Sequence, residues 1–311
     1  MFSGSSSHMS SHVATRFVAC LMSDPQRFVR IKHRDMSRFR ISTISFLNTV
    51  PLMWDFEHGS AGANFDISYT VPSECAAQLR AGTADIGIIP AAAYAQIPDL
   101  AIIPGVAIAA RRPVRSILLV SKVPIEEIHT VALDTSSLTS VALTKVLFER
   151  WLGGGRVFTS MAPSLDGMLR EHDAGLVIGD TALKVDRTQY LTYDLAEEWI
   201  RFTGKPFVFA FWAVRRDALR NASSDLATIF QNSRDHGLQA ENIDLIAREW
   251  SQRLGISEAE IRFYLTENIH YQLDAGCIEG LQLFFSHAAE CGALPSSSPL
   301  NFLEVAKFAA T

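Results

Sequence analysis

The chain has 311 residues, 48% of them hydrophobic, enough for one large domain or two smaller ones. Its net charge of −5 and 20% charged residues lack the clustered basic excess of a nucleic-acid surface. No apolar run reaches the roughly 18–20 residues of a membrane span, and the scattered Cys20, Cys75, Cys277 and Cys291 form no CxxC pair, which argues against a zinc ribbon or redox motif.

Residues 1–37 are polar, contain serine and histidine and lack periodicity. The patch Phe17 to Met22 is shorter than the apolar core of a usual signal peptide. The segment is expected to be a disordered extension, or an artefact of cloning or start-site choice, with Met36 as a natural start. A reduced, cytoplasmic protein is the expectation.

Strands are predicted over 41–47 and 65–71, with a short helix from Pro51 to His58 between them. Ser73 is placed to cap a helix that runs to Arg80, Gly82 ends it, and 85–89 forms the next strand. This βαβ order predicts a parallel sheet. A strand at 116–122 follows. A strand at 130–133 then runs through Asp134-Thr135-Ser136-Ser137 into a helix over 139–152, and a strand ending at Ile178 meets Gly179-Asp180. "KPFVFAFWAVRRD" reads as a long apolar strand, and beyond Asp217 the spacing becomes helical.

In open α/β sheets, ligands bind beyond the carboxyl ends of the strands. Those ends here carry Asn48-Thr49, Pro72-Ser73-Glu74, Ser136 to Ser140 (with Ser137 and Thr139 between them), and Gly179-Asp180. Several sit where a helix begins, and unpaired N–H groups at a helix start attract anions. A cleft of neutral donors for a small carboxylate is the reading. Capping alone accounts for Ser73 and Ser136 equally well, and Asp134 reads as a turn residue. Asn48 is harder to reduce to a terminator. Arg111, Arg112 and Arg115 form a basic cluster that is either a solvated face or, through one member, a carboxylate partner. No HExxH, nucleophile elbow, P-loop or GxGxxG is present, so no metal, nucleotide or other cofactor is expected.

The segments "ISFLNTVPL", "VPSECAAQLRAGTADIGIIPAAAYA", "RPVRSILLVSK", "VALDTSSLTSVALTKVL", "LVIGDTAL" and "DLAEEWIRFTGKPFVFAFWAV" closely resemble the chorismate dehydratase family, which acts at the first step of the futalosine route to menaquinone. The resemblance covers the chain from about residue 38, is most specific over 41–215, and is vague in the helical tail. It implies a type II periplasmic-binding-protein-like α/β fold of two lobes with a ligand cleft between them. Lobe I would be residues 38–119 plus 208–311 and lobe II residues 120–207, with crossing strands near 116–121 and 207–213.

The resemblance also implies catalytic roles for Asn48 and Ser116, and a carbon–oxygen lyase that removes the C3 proton and C4 hydroxyl of chorismate to give 3-[(1-carboxyvinyl)oxy]benzoate. Thr49, Ser73, Arg115, Ser136, Ser137, Thr139, Ser140, Gly179 and Asp180 are the candidate substrate-binding residues. Two bases are open, Asp180 and the enolpyruvyl carboxylate of the substrate itself. The alternatives are a non-catalytic small-carboxylate-binding protein of the same fold, which predicts a signal peptide or lipobox, and the sensing half of a transcription regulator. The latter needs about 60 upstream residues for its DNA-binding helices, and 37 polar ones are too few. The expected partner is a small molecule, with no nucleic acid and no membrane; oligomeric state is open.

Overall fold

The structure is a computed structural model that describes residues 38–221, 225–296 and 299–304. The extension expected over residues 1–37 lies outside them. Two five-stranded sheets share one plan. The first contains β1 (Phe39–Ile44), β2 (Phe65–Thr70), β3 (Ile86–Pro90), β4 (Leu100–Ala110) and β10 (Phe207–Arg215), in the order β2-β1-β3-β10-β4. The second contains β5 (Ile117–Ser121), β6 (Thr130–Asp134), β7 (Val157–Met161), β8 (Ala174–Ile178) and β9 (Leu191–Asp194), in the order β7-β6-β8-β5-β9.

The sheets are mixed rather than parallel. The βαβ strands pair in parallel, β1 with β2 and β3, and β6 with β7 and β8. β10 then runs antiparallel between β3 and β4, and β5 antiparallel between β8 and β9. Strands buried on both faces read as continuous apolar runs, and β3, β5 and β8 are buried at every residue. β5 pairs throughout within the second sheet and β10 within the first, so a division at 119/120 falls inside β5. The chain passes between sheets over residues 111–116, which end at Ser116, and returns between Asp194 and Phe207.

The opening turn differs from expectation. β1 ends at Ile44, and the chain enters a 3-10 turn over Leu47–Met53 before a single α turn at Trp54–Glu57. Asn48 therefore lies inside a tight turn and not on a strand. Leu47, Leu52 and Met53 are buried beneath the turn. Ser233 holds it from behind, accepting from Asp55 N–H at 3.0 Å and donating to the Leu52 carbonyl at 2.9 Å. Gly237 lies so close to the Pro51 carbonyl that a Cβ would stand 2.0 Å from the oxygen. The helical tail forms helices over Leu226–Gly237, Ala240–Leu254, Glu258–Phe263 and Ala275–Glu290, and a π turn over Tyr264–Asn268 ends the third short of the long helix expected there.

Among the described residues, no helix is long and apolar enough to cross a membrane.

Candidate active site

The strand ends of both sheets converge on a cleft lined by Ile44, Phe46, Asn48, Pro72, Ile117 and Phe209, together with Ser137, Thr139, Ser140 and Gly179. Ser137 caps the helix Leu138–Trp151, its hydroxyl accepting from Ser140 N–H at 3.3 Å. Thr139 Oγ1 bridges the sheets, accepting from Ala92 N–H at 3.1 Å and donating to the Phe209 carbonyl at 3.0 Å. Asn48 is 8% exposed, and its carbonyl oxygen accepts weakly from Thr49 Oγ1 at 3.4 Å. None of the lining residues is titratable.

The other candidates surround this cavity without lining it. Ser136 is held by Asp134, whose Oδ1 accepts from both its N–H (2.8 Å) and its hydroxyl (2.6 Å), so the pair makes a turn. Ser73 contributes its backbone, its N–H donating to the Ser136 carbonyl at 3.2 Å from one sheet's helix to the other's turn. Thr49 is buried beside Asn48. Arg115 points elsewhere, into a small hollow with Leu47, Leu183, Glu260, Ile261 and Tyr264. Arg111 and Arg112 pair with Asp274 (2.6 Å) and Glu267 (3.0 Å).

Asp180 stands at the edge. Its Oδ1 accepts from Leu47 N–H at 3.1 Å, joining the second sheet to the turn that carries Asn48. Burial pushes its carboxyl up to about 6, against the opposing pull of that N–H and of Lys184. Gly179 beside it has φ +61° and meets the Phe46 ring so closely that a Cβ would stand 2.8 Å from it. This is a position for glycine on two counts.

Ser116 is wholly buried and its hydroxyl makes no hydrogen bond of ordinary geometry. The residues before it are fixed by Asp194, whose carboxylate accepts from Val114 N–H (3.1 Å) and Arg115 N–H (2.6 Å). The same carboxylate caps the helix Leu195–Thr203, and Arg115 takes a left-handed φ of 65° to complete the bend. Asp194 was legible as an N-cap, with Glu197 three residues on. Tyr264, whose hydroxyl faces Ser116 and Asn48, carried no such signal.

A larger hollow of about 810 Å³ lies along Phe46, Trp54, Tyr69 and Trp250, against about 50 Å³ in the cleft. The cleft is the better site despite its size. Both sheets and a capped helix start meet there, whereas the hollow draws on neither Asn48 nor any residue of the second sheet.

The chain also matches known proteins. Residues 39–290 match the family model described as menaquinone biosynthesis. The chain belongs to that family. A curated relative, the chorismate dehydratase of Thermus thermophilus, is 29% identical over 257 residues, spanning 77% of this chain and 91% of the relative. Among solved structures, a protein of Archaeoglobus fulgidus matches with a TM-score of 0.63 at 15% identity, over 84% of this chain and all of that one (100%). The periplasmic aliphatic sulphonate binding protein of Escherichia coli matches with a TM-score of 0.58 at 15% identity, over 88% and 96% of the two chains. The chain thus has the periplasmic-binding-protein-like fold expected of it, two α/β lobes with a cleft between them.

Proposed function

We propose that this protein is a cytoplasmic chorismate dehydratase, a cofactor-independent hydro-lyase that forms 3-[(1-carboxyvinyl)oxy]benzoate on the futalosine route to menaquinone. The observation that carries the proposal is a cleft of neutral donors at the meeting of both sheets, in a chain of the menaquinone biosynthesis family.

Chorismate is a dianion. In the proposed reaction its C3 proton is removed, and the charge spreads through the ring diene into the C1 carboxylate. The C4–O bond then breaks and the ring becomes aromatic, which supplies the drive. The donors around Asn48 and the start of the helix Leu138–Trp151 would stabilise the C1 carboxylate as its charge grows, as an oxyanion hole does.

A lining without titratable groups favours the substrate's own enolpyruvyl carboxylate as the base. It would take the C3 proton and return it to the departing hydroxyl, so that water leaves with no net proton exchanged. The protein's part is then to hold that carboxylate over C3. Asp180, the other candidate base, has its Oδ1 engaged by Leu47 N–H outside the lining. Asn48 would hold a substrate oxygen, and Ser116 would position the C4 hydroxyl.

The test is incubation with chorismate, following the ultraviolet change and identifying the product by mass. Formation of the vinyl ether benzoate supports the reading. Saturable binding without product would instead favour a carboxylate-binding protein.

A further inference from the structure

The π turn Tyr264–Asn268 is fastened to the segment that delivers Ser116. Asn268 Nδ2 donates to the Pro113 carbonyl at 2.9 Å, and Glu267 pairs with Arg112 at 3.0 Å. Tyr264, the first residue of the turn, is only 2% exposed and lies in one hollow with Leu47 and Arg115, the chain neighbours of Asn48 and Ser116. Its hydroxyl faces both of those side chains. The Ser116 hydroxyl has no well-aligned partner of its own, and neither has the hydroxyl of Tyr271, which is also buried. π turns are rare and recur at functional sites.

We infer that Tyr264 is a positioning residue that holds the Asn48 amide and the Ser116 hydroxyl in register for the dehydration. The inference rests on the reading of Asn48 and Ser116 given above. Burial keeps the phenol neutral well past its ordinary range, so it remains a donor throughout the working range of pH. In the closed cleft its O–H donates to Ser116 Oγ while its oxygen accepts from Asn48 Nδ2. Ser116 then has one rotamer in which its own proton points at the C4 oxygen.

Tyr264→Phe removes the hydroxyl and keeps the ring. The expected result is a fall in kcat on the order of 10–100-fold with KM little changed, the scale for a small misplacement of reacting groups. In a Ser116→Ala background the same change should add almost nothing, because residues acting as a unit are not additive. A merely structural role would lower the melting temperature and leave kcat alone. Full kcat in Tyr264→Phe, or losses that multiply in the double variant, would overturn the inference while an active wild type leaves the functional reading standing. No product from the wild type would overturn both. If Tyr264→Phe does not fold, Asn268→Ala decides, since it frees the turn from Pro113 and keeps the hydroxyl. Lowered kcat at unchanged KM supports the inference, and full kcat defeats it.

Discussion

Leu47 N–H donates to Asp180 Oδ1 at 3.1 Å, from the turn after β1 to the short helix after β8. The contact ties a buried carboxyl to the turn that carries Asn48. It also makes stability depend on pH. The Asp180 pKa is raised to about 6 from an ordinary 3.8, chiefly by burial. The folded state therefore favours the protonated form. The stability this confers is full below the unfolded pKa and is lost as pH rises through about 6. Asp180→Asn mimics the neutral carboxyl. It should be more stable than wild type at pH 7.5, by on the order of 2–3 kcal/mol, and the advantage should shrink toward pH 4. Thermal melts of both proteins across that range check this. A constant difference would show that Asp180 is not desolvated.

A cavity of about 50 Å³ is too small for a ring bearing two carboxylates and a hydroxyl. For the proposed substrate to enter, the lobes should part about the two passages at residues 111–116 and between Asp194 and Phe207. Small-angle scattering should give a larger radius of gyration for the free protein than for its product complex. Identical curves at saturation would mean a rigid cleft, or a ligand of another class.

Asn48→Ala and Ser116→Ala should leave the protein folded and lower kcat by on the order of 10²–10³, the range for one preorganised donor. Ser116 should form no covalent intermediate, since dehydration needs no acyl-enzyme. Steady-state turnover of chorismate beside thermal melts is the measurement. Wild-type kcat with lowered melting temperatures would reduce both residues to structural parts.

His270, Asp274 and Cys277 bring three potential metal ligands within 4.8 Å of one another. Their chemistry is against a metal. Arg111 occupies Asp274 Oδ2 at 2.6 Å and reaches His270 Nε2 at 3.3 Å. Burial pushes the Cys277 thiol up to about 12, where it yields no thiolate at neutral pH. Calorimetric titration with zinc should show no stoichiometric binding here, and prolonged chelation should leave turnover unchanged. Restoration of lost activity by zinc would refute this.

The parts of the fold set by local chemistry were legible in sequence. Ser73 does not cap its helix, which begins at Pro72 after Val71, yet Gly82 ends it where expected. The helix after Ser137 and the buried runs of β5 and β8 also stand within a residue or two of their expected places. What sequence could not show was pairing at long range. β10 is a long apolar run whichever way it lies, and only its insertion between β3 and β4 makes the sheet mixed. The 3-10 turn at Asn48 is imposed by packing on Ser233 and Gly237, far along the chain. Asn48, Ser137, Thr139, Ser140 and Gly179 come together on the cleft, while Arg115 faces its own hollow. Arginine's long side chain makes its direction the hardest to read from position.

The place of β10 also bears on how the chain assembles as it leaves the ribosome. The strands of the second sheet all fall between Ile117 and Asp194, so that sheet can close as soon as its own segment has emerged. The first sheet begins earlier and finishes later. β3 and β4 do not pair with each other and are joined only by β10, roughly 100 residues downstream of β4. Until it is in place both present open edges that invite pairing with other chains. The nascent protein thus carries an unfinished N-terminal sheet ahead of a finished middle one until β10 completes it. That interval is when its open edges are most exposed to pairing with other chains.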